Sequence, residues 1–376
     1  MKNKKKIISV LMHTVSAAII AIIAGFIVGA IVLLAAGYNP IEAYGALFSG
    51  IFSKPRYIAT MIIKSTPLIF TGLSVAFAFK TGLFNIGAEG QYIMGAIAAV
   101  FTGYFLDLPA WIHIPVVIIT AMVVSAIWGA LVGFLKAKCG IHEVITSIML
   151  NWIALYLQNY LITMEWLKKP GTESSYEVLQ SARITLLGEW KMSEAGLAWC
   201  RENEVLGEIL LKTDINFGIL IAIAVALIVW FILKKTTLGY QLRAVGFNSY
   251  ASEFAGISVK KNTIVSMAIA GAIAGLAGCV AIIGANPFRI STLSVMEGFG
   301  FDGISVALIA GSSPIGCILS AILLAGLRYG GQSIQSQLGV PSEVINIMIG
   351  TIVFFIAIAT IIPMIINIVQ KRRNKK

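Results

Sequence analysis

Charge is what this sequence has least of. Only 12% of its 376 residues are Asp, Glu, Lys or Arg, about half the share in a soluble globular chain. With 58% hydrophobic residues and a mean hydropathy of +0.89, this excludes a soluble domain and places the chain in lipid. Histidine is scarcer still: His13, His113 and His142 are scattered and fall near predicted membrane edges. His142-Glu143 is followed by Val144-Ile145-Thr146, so there is no H-E-x-x-H metal motif. There is no G-x-S-x-G nucleophile elbow, and no G-x-x-x-x-G-K-[ST], which excludes ATP binding through a P-loop. Cys139, Cys200, Cys279 and Cys317 lack metal-ligand spacing. Only Cys200 falls in a long polar loop, so no intramolecular disulfide is expected. With no nucleophile and base and no metal cluster, the chain reads as a non-enzyme without a cofactor or metal of its own. Energy for any transport would come from an ion gradient or a separate ATPase.

Acidic residues are outnumbered, 17 against 28 basic, for a net charge of +11. Lys and Arg gather at both termini and in one central loop, between apolar spans, which is the positive-inside pattern. No basic stripe interleaved with aromatics is present, which argues against nucleic acid as a partner.

What is present is a series of long apolar runs. After Met1-Lys2-Asn3-Lys4-Lys5-Lys6, the run Ile7–Ala36 is too long for a signal-peptide h-region of about 7–15 residues, and reads as an uncleaved first helix. Gly37-Tyr38-Asn39-Pro40 ends it, and residues 37–56 form a short interfacial segment. Helices are expected over about 57–79 (interrupted by Lys64 and Pro67), up to 106, 110–135, 143–163, 216–233, 263–284 and 343–369. The runs 304–310 and 317–328 are each too short to span at about 20 residues per crossing. The sum is an all-α polytopic membrane protein, a single transmembrane domain over 1–376, with about ten crossings and both termini cytoplasmic. The acidic loop 164–215 is placed outside, with helical character over 188–211 around Trp190, Leu197, Trp199 and Leu206. It reads as a tryptophan-anchored interfacial helix or as a docking surface for an extracellular binding protein. Asn151 and Gln158, seven residues apart, share a helix face turned to other helices. Gly271, Gly275 and Gly278 are spaced to let another backbone approach.

Two polar, glycine-broken stretches interrupt the apolar background. Phe84-Asn85-Ile86-Gly87-Ala88-Glu89-Gly90-Gln91 places a carboxylate and two amides between apolar runs. A carboxylate at that depth costs roughly 2.5–3.5 kcal/mol on insertion scales and so faces a cavity or a partner. Phe299-Gly300-Phe301-Asp302-Gly303 is its counterpart, followed by a break at Gly311–Gly316. Such a pair in corresponding halves marks a transporter site near mid-membrane, built on broken or re-entrant segments near 84–91 and 299–316. Pathway candidates are Phe84, Asn85, Glu89, Gln91, Phe299, Phe301 and Asp302. The competing readings are structural: Glu89 caps the broken helix or pairs with Lys80, Asp302 pairs with Arg328, and the phenylalanines pack the core.

The basic loop 236–262 carries its own pattern. Asn248-Ser249 can cap a short helix through Phe254 or Ala255, which Gly256 can end. The sequence G-x-x-x-R-A-V-G-x-N-x-x-A-x-x-x-x-G-I from Gly239 to Ile257 resembles the cytoplasmic coupling loop of ABC importer permeases of the branched-chain amino acid and ribose permease superfamily. The 84–91 motif, with Gly298–Leu308, resembles the nucleoside-type permeases that work with a basic-membrane-protein-like lipoprotein. The likeness runs in order over about residues 55–365 and is weakest in the acidic loop. It implies a multi-pass bacterial plasma-membrane permease for purine nucleosides such as guanosine. It further implies a second related permease, an ABC ATPase with two nucleotide-binding halves that uses the ATP, and a substrate-binding lipoprotein. On the same likeness Gly239, Arg243, Ala244, Gly246, Asn248 and Gly256 belong to the ATPase-coupling region. Alternatives are an ABC permease for ribose-like sugars or an autoinducer, an ion-coupled secondary transporter, or a membrane scaffold that transports nothing.

Overall fold

The computed structural model describes residues 14–358. The terminal lysine clusters, and with them the expected cytoplasmic termini, lie outside the described residues. Among the described residues the chain is helical with no strand, only three isolated bridges in loops.

The helices fall into two compact units. The smaller comprises the residues up to Tyr57 and those from Gly326 onward. In it α1 (Thr14–Ala35) turns by 120° at Gly37–Asn39 into α2 (Pro40–Phe52). The amide of Asn39 caps α2, and Pro40 sits where its missing N–H costs nothing. α1 lies along α15 (Ser342–Ile358), and Gly25 lets the Ile352 backbone come close. Tyr44 of α2 donates to the Phe26 carbonyl of α1 at 2.6 Å.

The larger unit, Ile58–Ala325, holds nearly all of α3 (Pro55–Phe79), then α4 (Ala88–Phe105), α5 (Ala110–Cys139) and α6 (Glu143–Ile162). The acidic loop follows, with α7 (Glu194–Glu202) and α8 (Glu204–Lys212), and then α9 (Gly218–Lys235). The basic loop resolves into α10 (Thr237–Phe247) and α11 (Ser249–Phe254), ahead of α12 (Val259–Gly284) and α13 (Phe299–Ile309). α14 (Pro314–Leu338) belongs partly to each unit.

α12 is the spine of the larger unit, flanked by α5 and α4. The glycines singled out in the sequence make this packing possible. A Cβ on Gly271 would collide with the Ser125 carbonyl of α5, one on Gly275 with the Ser125 side chain, and one on Gly278 with the Tyr92 carbonyl of α4. Because the obstacle at Gly278 is backbone, Gly278→Ala is expected to cost about 1–3 kcal/mol by overpacking. It should appear as a lower melting temperature of the purified chain in detergent, and an unchanged melt would refute the close approach.

Among the described residues, five helices (α3, α5, α9, α12 and α14) are long and apolar enough to cross a membrane, or six with the bent pair α1–α2. This makes the chain a multi-pass membrane protein. The reading of 317–328 as a run too short to span is corrected: it lies inside the 25-residue α14. Tyr329-Gly330-Gly331-Gln332 resembles a stop signal, yet the chain stays helical. Gly330 is needed there because α2 packs closely, with the Leu47 carbonyl 2.8 Å from where a Cβ would stand.

The acidic loop is laced to the end of α12 and to the segment between it and α13. The N–H groups of Ser175, Val178 and Ile184 donate to the carbonyls of Ile290, Phe288 and Ile283. From α6, Asn159 exchanges two hydrogen bonds with Leu293, and Gln158 donates to the Ser291 carbonyl. The buried face carrying Asn151 and Gln158 therefore does pack against protein.

Candidate functional site

α3 ends at Phe79, and the chain does not become helical again until Ala88. The break at 80–87 would leave backbone groups unsatisfied in a low-dielectric setting, at several kcal/mol each. Three buried amides close it. Asn85, inside the break, and Gln91, in the first turn of α4, exchange hydrogen bonds at 2.9 and 3.1 Å. Asn85 also donates to Ser74 of α3, whose hydroxyl donates to the Ala270 carbonyl of α12. Asn151 of α6 grips the end of the break where α4 begins, accepting from the Gly90 N–H at 2.8 Å and donating to the Ile86 carbonyl at 3.1 Å. Ser125 of α5 donates to the Gln91 carbonyl. Ser147 of α6 lies beside Gly87, its buried hydroxyl without a hydrogen-bond partner among the described residues.

Glu89 is fully buried in the first turn of α4 and connects the two polar motifs. One carboxylate oxygen accepts from the Gly298 N–H at 2.7 Å, the other from the Gly300 N–H. Those amides belong to the first turn of α13, whose orphan N–H groups and positive dipole end favour an anion. Glu89 thus caps a helix far away in sequence. It caps neither its own helix nor pairs with Lys80. Gly300 is required because a Cβ there would strike the Glu89 backbone, and Gly298 takes a left-handed conformation (φ +87°) that suits glycine. Gly303 packs in the same way against Thr71 of α3.

The structure therefore brings together the two motifs paired by composition, but divides the seven candidates by environment. Asn85, Glu89 and Gln91 are buried, with their polar atoms bonded to protein. Phe84, Phe299 and Asp302 are half-buried and Phe301 is exposed. Phe84 stacks on Phe79, and Phe299 meets Tyr92 with ring centroids 5.2 Å apart in each pair. Ser74, Ser125, Ser147 and Asn151 were not singled out as site residues by sequence, although Asn151 had been placed on the right face. Serines are common in helices, and only the packing reveals these four as neighbours of the break.

The basic loop is built as its capping signals imply. Asn248 accepts from the Ala251 N–H at 3.0 Å to cap α11, and Gly256, with φ +80°, ends it. α10 presents Gly239, Arg243 and Gly246 on one face. Gly239 fits against Ile232 and Leu233 at the end of α9, and Gly246 against the backbone of Lys80 and Gly82, where the break begins. Ala244 is half-buried. The most outward-facing side chains are aromatic and were missed: Phe247 is 89%, Tyr250 85% and Phe254 97% exposed. On two short helices of a polar loop their spacing reads as packing, whereas no described residue covers them.

Residues 57–361 match the family model described as branched-chain amino acid transport system / permease component. The chain is 40% identical over 354 residues to the guanosine ABC transporter permease protein NupP of Bacillus subtilis (strain 168), covering 94% of this chain and 96% of that one. It is 39% identical over 351 residues to the nucleoside ABC transporter permease protein NupB of Lactococcus lactis subsp. cremoris (strain MG1363), covering 93% and 92%. It is 31% identical over 339 residues to the glucose ABC transporter permease protein TsgB13 of Haloferax volcanii, covering 90% and 86%. A polytopic helical chain with two glycine-broken polar segments, matched along most of its length by such proteins, belongs to the branched-chain amino acid transport system / permease component family.

Proposed function

We propose that this chain is the transmembrane subunit of an ABC importer for nucleosides, in a bacterial plasma membrane. The observation that carries the reading is the near full-length similarity, at 40% and 39% identity, to two permeases named for guanosine and for nucleosides. On this reading the chain crosses the membrane about ten times with both termini cytoplasmic, counting α4, α6, α13 and α15 alongside the six candidate spans. It works with a second related permease, a lipoprotein that delivers substrate, and an ATPase that uses the ATP.

The buried polar atoms around 80–91 suggest a division of roles. Asn85, Glu89 and Gln91 hold the break open and in register. Phe84, Phe299 and Phe301 offer ring faces to a base, and Asp302 and Ser147 offer polar atoms to ribose hydroxyls or base edges. The exposed Phe247, Tyr250 and Phe254 suit a groove on the ATPase, supported by the capped α11 between α10 and α12. Gly239, Arg243, Ala244, Gly246, Asn248 and Gly256 shape and position that surface.

The test is uptake of labelled guanosine by cells with and without this chain, in competition with unlabelled inosine, ribose and glucose. Guanosine uptake that depends on the chain, resists an uncoupler and yields to inosine but not to sugars supports the reading. Chain-dependent uptake that yields only to a sugar supports the second reading, a sugar importer, which the 31% identity to a glucose permease motivates. Uptake that collapses with the uncoupler and persists without any ATPase would overturn both.

A further inference from the structure

Not all the basic residues at the membrane edges are balanced alike. Lys136, at the end of α5, forms an ion pair with Glu143 at 2.6 Å. Lys80, Lys234 and Arg243 form no ion pair with any described residue, although they arrive from three different elements. Lys80 directly follows α3, and Lys234 lies in the last turn of α9. Arg243 sits on α10 between two contacts already described: Gly239 against the end of α9, and Gly246 against the Lys80 carbonyl. That spacing of four and three residues puts all three on one helix face, so Arg243 lies between the two lysines. Its Nε donates to the Gly239 carbonyl at 3.3 Å, which anchors the guanidinium there.

Gathering three cations without a counter-charge is unfavourable, and partial burial sharpens the conflict. Burial first, then Lys234 and Arg243, push the Lys80 ammonium below its ordinary range. An anion held among the three would relieve this. The neighbouring surface indicates its source. Leu220, Leu227 and Phe231 form an exposed apolar stripe on α9, and Lys234 continues the same face at the helix end. Both spanning helices end at this level, where headgroup phosphates lie.

We propose that Lys80, Lys234 and Arg243 form a binding site for the phosphate of an anionic phospholipid headgroup, with an acyl chain along the Leu220–Phe231 face of α9. The site is independent of the transported substrate. It seats a lipid where α10 meets both α9 and the turn before the polar break.

The test uses the purified full chain in neutral detergent, with lipid retention read by native mass spectrometry and stability read by thermal melting. The probes are phosphatidylglycerol, phosphatidylcholine and inorganic phosphate. Phosphatidylglycerol is expected to be retained and to raise the melting temperature. Lys80→Gln, Lys234→Gln and Arg243→Gln should each weaken its binding about 5-fold, and the triple variant about 100-fold. Phosphatidylcholine should have little effect, and Lys138→Gln, an exposed basic residue elsewhere, should bind phosphatidylglycerol like the wild type. Equal binding by wild type and triple variant would overturn the site, as would an equal loss in Lys138→Gln. Inorganic phosphate that reproduces the stabilisation with the same mutational pattern would keep the phosphate chemistry but overturn the lipid as its source. A triple variant that binds lipid normally yet loses the partner ATPase would assign the cluster to protein docking and overturn the proposal.

Discussion

Replacing Glu89 by Gln is expected to cut uptake of labelled guanosine at least ~10-fold while the chain still reaches the membrane at normal levels. The carboxylate accepts two backbone N–H groups at the start of α13, one on each oxygen. A hydrogen bond to a charged group contributes about 1.5–3 kcal/mol, and an orphaned buried donor costs about 1–3 kcal/mol. Glutamine keeps the length but has only one acceptor, and its amide N–H groups would confront the N–H of Gly298 or Gly300. Even the lower end of the charged hydrogen-bond range, about 1.5 kcal/mol, exceeds the roughly 1.36 kcal/mol that corresponds to tenfold. Gly300→Ala provides the complementary test. Its Cβ would strike the Glu89 backbone without altering any candidate substrate-contacting side chain. If the clasp matters, both variants lose uptake together. A defect in Glu89→Gln with normal uptake in Gly300→Ala would instead assign Glu89 to the substrate, and normal uptake in both would remove the clasp from the mechanism.

The second large effect is expected at Gly246. Here α10 touches the backbone of Lys80 and Gly82, in the first residues of the break. A side chain would meet the Lys80 carbonyl and, at 3.0 Å, the Gly82 nitrogen, and neither is the end of a flexible side chain. Gly246→Val should therefore push α10 off this turn. ATP-driven uptake should fall below about a tenth while the ATPase still co-purifies, because the exposed aromatics of α10 and α11 are untouched. Phe247→Ser with Phe254→Ser should do the reverse at the first step, releasing the ATPase from the complex. Normal uptake by Gly246→Val would show that movement of the coupling helices reaches the pathway by another route.

Much of the fold was legible because hydrophobicity and glycine are local signals. The end of α4 and the limits of α6 and α11 follow from apolar run length, a capping Asn and a terminal Gly. The α12 glycines announced a close packing partner without naming it. What stayed hidden depends on distant chain segments. The partner of Glu89 could be narrowed to a cap or an ion pair, yet amides in another motif carry no sequence mark as acceptor-seekers. Asn85 and Gln91 looked like ligands because paired amides in an apolar chain are rare. In the structure their side-chain amides bond to each other and, from Asn85, to Ser74, so that the polar atoms are satisfied within the protein. α14 reads as a short run in the sequence because its apolar stretch stops at Arg328, and only the neighbour α2 explains the glycine at 330 beyond it.

The Glu89 clasp also carries a consequence for biosynthesis. Its two partners lie 209 and 211 residues further along the chain. At a synthesis rate of about 5–20 residues per second, roughly 10–40 s separate the appearance of the carboxylate from that of the amides that receive it. Through that interval an acidic side chain is inserted into an apolar setting without its final partners. The nascent chain must shelter it by water, by protonation or by the insertion machinery, and α4 reaches its final seat only after α13 has been made.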